Sequence, residues 1–303
     1  MKEYVSIVIP TYGENSDPCK AIESVFNQSY PYIEVIVVDD NGKGTDQQLY
    51  NEKRLEKYCK NPGFHYIVHD HNKGGSAARN TGAQLSSGKY INFLDDDDRF
   101  DIDKIKKQVE CLQKLDASWG GAYSSTKTYH GDTYIRTNIA KHSGYVLEKY
   151  IKGKIRIGTP SLLVRREAFL SIGGYDPTFI RHQDWEFNSR LLDSYKLVAV
   201  PDAFYERHYK LTAQGYDLET RKSFMDKYTS SMLSEIKTLK KEKLETLLKR
   251  KYIAIVSTAI RRGELSFAKE VFKQQGYGIV EIIIMVKYGI SYCIKRAFYG
   301  THF

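Results

Sequence analysis

Four consecutive carboxylates, Asp95-Asp96-Asp97-Asp98, end the apolar run Tyr90-Ile91-Asn92-Phe93-Leu94. Adjacent anions repel, so the cluster asks for a counter-charge. A hard divalent cation, Mg²⁺ or Mn²⁺, supplies one through oxygen ligands and usually brings substrate phosphates with it. The plainer alternative is a solvated acidic turn that caps the next helix. The apolar run is bounded by Gly88 and Asp95 and reads as a buried strand, which would hold the carboxylates at a strand end.

The elements before it alternate strand and helix. Tyr4 to Pro10 is an apolar first strand, followed by the loop Thr11 to Ser16. Asp17 and Pro18 are an N-cap and first-turn pair for a helix carrying Ala21, Ile22, Val25 and Phe26 on one face. Ile33 to Val38 is a second buried strand that runs into Asp39-Asp40. A polar helix follows, from Thr45 to about Cys59, then a strand over Phe64 to Val68 and a helix from Gly74 to Leu85. This alternation predicts a parallel sheet covered by helices. Ligands of such sheets sit beyond the carboxyl ends of the strands, where Thr11-Tyr12, Asp39-Asp40 and Asp95 to Asp98 all fall. Several polar clusters aligned in this way favour one ligand site over separate loops.

Beyond the cluster the pattern becomes mixed. Ile102 to Leu115 is an amphipathic helix. Strands over Gly121 to Thr126 and Thr133 to Ile135 flank a hairpin turn at His130-Gly131-Asp132. Leu162 to Val164 is a strand, Arg166 to Ile172 a short helix, and a helix opens at His182-Gln183-Asp184-Trp185. A last strand, Leu197 to Val200, is expected to close at Pro201. From Glu219 onward Lys-rich amphipathic helices replace the alternation. We therefore expect an α/β domain over residues 1–216 and a C-terminal helical region over 217–303.

The 303 residues are enough for one large or two modest domains. Apolar residues at 41% and charged residues at 27% are those of a soluble globular chain. A net charge of +9 favours polyanions as neighbours, either nucleic acid or anionic lipid. The four cysteines have no CxxC spacing, which argues against a zinc site or disulfide framework and for a reducing compartment. The N-terminus lacks a charged stretch followed by a long apolar run, and no apolar segment is long enough to span a bilayer. The expectation is a cytoplasmic protein.

The motifs then coincide in order. They are Val5-Ser6-Ile7-Val8-Ile9-Pro10-Thr11-Tyr12, Val37-Val38-Asp39-Asp40, Asn72 to Gly82 with its Gly74-Gly75-Ser76-Ala77-Ala78-Arg79-Asn80, Phe93 to Asp98, and Gln183-Asp184-Trp185-Glu186. Over about two thirds of the chain this resembles a family 2 glycosyltransferase of the inverting, SpsA-like bacterial type. The resemblance implies a GT-A fold: a Rossmann-like mixed sheet flanked by helices, with a nucleotide-sugar half (1–98) and an acceptor half (99–216). It implies a nucleotide-sugar donor, a UDP-sugar by preference, a glycan or lipid-linked saccharide acceptor, and Mn²⁺ or Mg²⁺.

By that resemblance Pro10, Thr11 and Tyr12 line the nucleoside pocket and Asp39 accepts the base N–H. Arg79 contacts base or phosphate. Asp97 takes the ribose and Asp98 the metal, with Asp96 in the variable position beside them and counted with the nucleotide-binding group. The all-Asp run leaves these roles open by one residue. Asp184 is the base, with Glu186 as its substitute or an acceptor-binding group, and the plain alternative for Asp184 is an N-cap. Gln183 stands where the family usually has Glu. His208 is a second metal ligand, since imidazole suits Mn²⁺ better than Mg²⁺. Thr159-Pro160-Ser161 and Trp185 line the sugar and acceptor pocket.

Two other classes compete. A nucleotidyltransferase would need a Gly-rich loop with Lys or Arg after the first strand, and Thr11 to Ser16 holds neither. A nucleic-acid binder would use the basic C-terminal helices, but no nucleic-acid motif accompanies them. Ile279 to Ile294, apolar and flanked by Lys and Arg, reads instead as an element for an anionic membrane surface, peripheral on the inner face of the plasma membrane, or for a second copy of the chain.

Overall fold

The computed structural model describes residues 3–14, 16–209 and 217–278. The chain divides into two compact units, Met1–Leu211 and Thr212–Phe303. In the first, the element order is β1 (Val5–Thr11), α1 (Pro18–Phe26), β2 (Ile33–Asp39), α2 (Asp46–Leu55), β3 (Phe64–Val68), α3 (Gly75–Leu85), β4 (Tyr90–Phe93), β5 (Arg99–Phe100), α4 (Lys104–Leu112), β6 (Trp119–His130) and β7 (Thr133–Asn138). It continues with α5 (Leu147–Ile151), β8 (Leu162–Arg165), α6 (Arg166–Ser171), α7 (Gln183–Ser194) and β9 (Lys196–Tyr209).

One sheet runs in the order β3-β2-β1-β4-β8-β6-β9-β5, with β7 paired to β6. The first four strands are parallel. β8 runs antiparallel to both β4 and β6, so the sheet becomes mixed where the sequence patterning changes. β1 lies between β2 and β4, so the chain leaves it in one direction and returns on the other side. That is a switch point, where strand ends open a crevice.

Strand side chains alternate between faces. Val5, Ile7, Ile9, Val35 and Val37 join one core with Ile22, Val25, Leu55, Ile105 and Val109 from α1, α2 and α4. α3 packs at Val8, where Gly82 permits the contact. A Cβ on Gly82 would stand 2.3 Å from Val8 Cγ1, too close for any side chain. Gly82→Ala is expected to cost about 1–3 kcal/mol through overpacking. Trp119 and Trp185, the two tryptophans, both lie in this unit, so a urea melt followed by fluorescence reads it. Adding Val8→Ala should recover part of the loss.

The expected end of the last strand at Pro201 is not found. Proline offers no N–H to a ladder, and the register shifts there, with Ser124 opposite Val200 but Ser125 opposite Phe204. The bulge absorbs Pro201, whose carbonyl accepts the Ser125 hydroxyl at 2.8 Å, and the strand resumes. Residues 204–208 are thereby carried alongside β6 and β5, with Arg99 opposite Glu206.

In the second unit α8 (Leu218–Glu235), α9 (Lys241–Arg262) and α10 (Leu265–Gln274) follow one another. Met225, Tyr228 and Met232 of α8 and Leu244, Leu248 and Tyr252 of α9 are buried. The Tyr252 hydroxyl donates to Asp226 at 2.6 Å. Gly263, at φ +76°, closes α9 in the left-handed conformation that glycine adopts without strain. The segment Ile279 to Tyr299, expected to meet a membrane or another copy, lies outside the described residues.

Candidate active site

A cavity of about 460 Å³ opens at the switch point. Its walls are Pro10, Thr11 and Tyr12 after β1, Asp40 after β2, Asn72 with Gly74, Gly75, Ala78 and Arg79 at the start of α3, and Asp95 and Asp96 after β4. Tyr12 is 62% exposed, leaving its ring face available to a planar ligand.

The two aspartates at the end of β2 have different partners. Asp39 is fully buried, and its two oxygens accept four hydrogen bonds: the Asn41 main-chain N–H (2.9 Å) and amide (2.8 Å), the Asn51 amide (2.7 Å) and the Tyr66 hydroxyl (2.8 Å). These four bonds brace the loop after β2. Asp40 instead lines the cavity. It accepts the main-chain N–H groups of Lys73 and Gly74, both at 2.8 Å, and pairs with His69 at 2.7 Å. Gly74, at φ +88°, makes the turn that points its N–H at Asp40.

Asp95 to Asp98 form a turn closed by the Asp98 N–H on the Asp95 carbonyl, 3.0 Å. The four side chains part company. Asp95 accepts from the Arg79 guanidinium at 2.6 Å. Asp96 accepts from the Ser16 hydroxyl, which also meets Thr11. Burial and the Asp95 charge still push the Asp96 carboxyl up. Asp97 reaches solvent, yet partial burial and the charges of Asp95 and Asp96 raise it to about 6. Asp98 is 4% exposed, and burial with the Asp95 and Asp97 charges raises it well above the usual carboxylate range. Its one described hydrogen bond is from the His208 main-chain N–H, 2.9 Å.

His208 therefore reaches Asp98 through its backbone. Its ring lies flat on Tyr129, with centroids 5.1 Å apart, and its nitrogens face the Gly131 carbonyl (3.3 Å) and Glu206 (3.2 Å). The described contacts of the imidazole are thus with Tyr129, Gly131 and Glu206, and its main-chain N–H is what meets Asp98. Among the described residues no three of His, Cys, Asp and Glu form a group that could hold a metal. The chemistry of the turn nevertheless fits a divalent cation. Burial and neighbouring aspartate charges raise both Asp97 and Asp98, and a cation at the turn would relieve that repulsion, shared with ligand phosphates rather than caged by protein alone.

The other side of the cleft comes from α7. Asp184 is not an N-cap. His182 holds that place at φ 49° and ψ 36°, and Asp184 follows in the first helical turn. Burial first, then the Asp95 charge, lifts the Asp184 carboxyl to about 6, while Arg79 pulls the other way. Arg79 links the halves, donating to Asp95 at 2.6 Å and to the Gln183 amide oxygen at 2.8 Å. Gln183, the departure from the family pattern, is thus an acceptor for Arg79. Gly75 leaves room for this bridge, since a Cβ there would meet the guanidinium at 3.1 Å. Asn80 adds two bonds to the Tyr175 main chain, 2.8 and 2.9 Å. Glu186, named above as a substitute base, is 2% exposed and pairs with Arg190 at 2.7 Å. It is structural. Pro160 and Ser161 are also buried, leaving Thr159 alone of that trio half-exposed.

The sequence profile of glycosyl transferase family 2 matches residues 6–173, more than half of the chain.

The chain belongs to that family.

This family 2 glycosyltransferase is 27% identical over 187 residues to the amylovoran biosynthesis glycosyltransferase AmsB of Erwinia amylovora, covering 60% of this chain and 61% of that one. It is 32% identical over 114 residues to the putative teichuronic acid biosynthesis glycosyltransferase TuaG of Bacillus subtilis, covering 37% and 43%. An uncharacterised Rickettsia bellii glycosyltransferase matches at 33% over 148 residues, 49% of this chain and 21% of that one. The chain thus spans less than two thirds of these relatives. The GT-A fold is shared with S. aureus TarS 1–349 in complex with UDP (TM-score 0.62, 17% identity, 83% of this chain and 72% of that one). It is shared too with the Pyrobaculum calidifontis mannosyltransferase PcManGT in complex with GDP-Man and Mn²⁺ (TM-score 0.57, 17% identity, 98% and 88%).

Proposed function

We propose that this protein transfers a sugar from a UDP-sugar, with inversion, to a hydroxyl of a glycan or lipid-linked saccharide in bacterial surface-polysaccharide synthesis. The observation that carries the reading is the meeting of Asp184 with the Arg79–Asp95 pair beside the strand-end cavity. The relatives named for amylovoran and teichuronic acid synthesis support the polysaccharide class. UDP in the TarS structure supports the donor.

The roles follow from the contacts. Pro10, Thr11 and Tyr12 hold the nucleoside, and Asp40 takes the base contact expected of Asp39. Asp96 and Asp97 face the ribose and diphosphate. Asp98, with its turn, would hold Mn²⁺ or Mg²⁺, which as a Lewis acid would offset the charge that builds on the departing diphosphate. Arg79, occupied on both sides, sets the spacing between donor and base. Asp184 takes the acceptor proton as the new bond forms, and a carboxylate that titrates near 6 is a stronger base than an ordinary one while still ionised at pH 7.

The test is a thermal-shift panel of nucleotide sugars with Mn²⁺, followed by hydrolysis assays. A UDP-sugar should raise the melting temperature selectively. Equal shifts with every nucleotide, or none with any, would reject the donor assignment.

A further inference from the structure

A second cavity, about 340 Å³, lies in the same unit and outside the donor site. β6 contributes Tyr123, β7 and the following segment contribute Thr137, Asn138 and Lys141, and the loop after α5 contributes Lys154 and Arg156. No carboxylate is among its lining residues. Lys141, Lys154 and Arg156 are exposed, and among the described residues none of their side chains forms an ion pair. Three unneutralised cations around one concavity repel each other, and an anion relieves that repulsion.

The cations are carried on pinned backbone. The Tyr123 hydroxyl donates to the carbonyls of Lys141 and His142, and the Ala140 N–H donates to Ser125 at 2.9 Å. The Lys154 N–H donates to the Lys149 carbonyl at 2.9 Å, and Ile155 is buried. The same loop is tied to the catalytic helix, because Asn188 of α7 donates to the Ile157 carbonyl at 2.9 Å. Tyr150 of α5 donates to the Asp184 carbonyl at 3.3 Å. One helical turn, one side-chain hydrogen bond and one residue of chain separate Asp184 from Arg156, so their Cα atoms are no more than about 20 Å apart.

We infer that this cavity binds an anionic group, carboxylate or phosphate, borne by the acceptor saccharide within about 20 Å of its reacting hydroxyl. The inference rests on the acceptor reading above. A concave site of this volume, lined by Thr137 and Asn138 beside the apolar Ile139 and Ile155, suits a charged sugar unit. Arg156 adds the planar fork that pairs with carboxylate or phosphate, and the lysines add point charge.

The experiment titrates the full chain and a Lys141→Ser/Lys154→Ser/Arg156→Ser variant with three oligomers of matched length. One is an oligogalacturonide, one a glycerol-phosphate oligomer and one a neutral galacto-oligosaccharide. All three substituted side chains are exposed, so the variant should fold. The parent is expected to bind at least one charged oligomer about tenfold more tightly than the variant does, with the gap closing in high salt. The neutral oligomer should not distinguish them. Whichever charged oligomer binds identifies the anion as carboxylate or phosphate. Equal binding of both charged oligomers by parent and variant would overturn the inference. So would a difference seen only with phosphatidylglycerol vesicles, which would move the cations to a lipid surface. Donor hydrolysis in the absence of acceptor is read separately and should be unchanged by the triple substitution. Its loss in the parent would count against the donor assignment and leave the binding comparison intact.

Discussion

Asp184→Asn is expected to keep donor binding and to lower sugar transfer by about 10²- to 10⁴-fold. The amide preserves size and helix position but cannot accept the acceptor proton. In the parent, transfer should rise with pH through about 6, where the Asp184 carboxylate forms. The variant's residual rate should lack that rise. The stability sign is opposite to the activity sign. A carboxyl raised in the folded state from 3.8 to about 6 stabilises the fold fully only at low pH. That contribution is lost as pH climbs through the folded value, so ionised Asp184 is a burden at neutral pH. Removing its charge should therefore leave the variant at least as stable as the parent at pH 7, with a gain on the order of 2 kcal/mol. Full transfer in Asp184→Asn would move the base elsewhere. A large fall in melting temperature would show that its role is structural. Glu186 makes the contrast, because its charge is matched by Arg190.

Asp98→Asn is the second large effect. The asparagine side-chain carbonyl can still accept the His208 N–H that now bonds at 2.9 Å, so β9 should stay in place. What disappears is the anion that a divalent cation would neutralise. UDP binding measured by calorimetry should be stronger with Mn²⁺ than with chelator in the parent and equal in the two conditions in the variant. Transfer should fall by about 10²- to 10³-fold, the scale of losing one electrostatic stabiliser of leaving-group charge. Parent binding that ignores chelator would remove the cation from the reading. His208→Ala separates the backbone from the ring. The N–H remains, so Mn²⁺-dependent binding should change little if the imidazole faces Glu206 as found.

Much of this was legible locally. The first strands and the starts of α1 and α3 follow from apolar runs, Asp17-Pro18 and Gly74-Gly75, because burial patterning and caps act within a few residues of sequence. The strand-end positions of Thr11, Asp40 and Asp95 follow from the same patterning, and so does one shared crevice. The motifs placed the chain in its family before any geometry was known.

Which carboxylate lines the cavity was not legible. Asp39 and Asp40 are adjacent and chemically identical, and only the long-range partners Asn51 and Tyr66 show that the first braces the loop after β2. Pro201 reads as a stop in sequence, and only pairing with β6 shows that a bulge carries the strand past it. Past that bulge the His208 N–H meets Asp98 while its ring meets Tyr129 and Glu206. The four aspartates looked interchangeable because their types and spacing are uniform. Arg79, Ser16 and the β9 backbone, distant in sequence, give three of them different partners, and solvent takes the fourth. Residue types and periodicity thus set the sheet, the crevice and the acidic turn. The division of labour within the site came from contacts made across the chain, because hydrogen-bond capacity and charge are settled only by the neighbours that tertiary packing supplies.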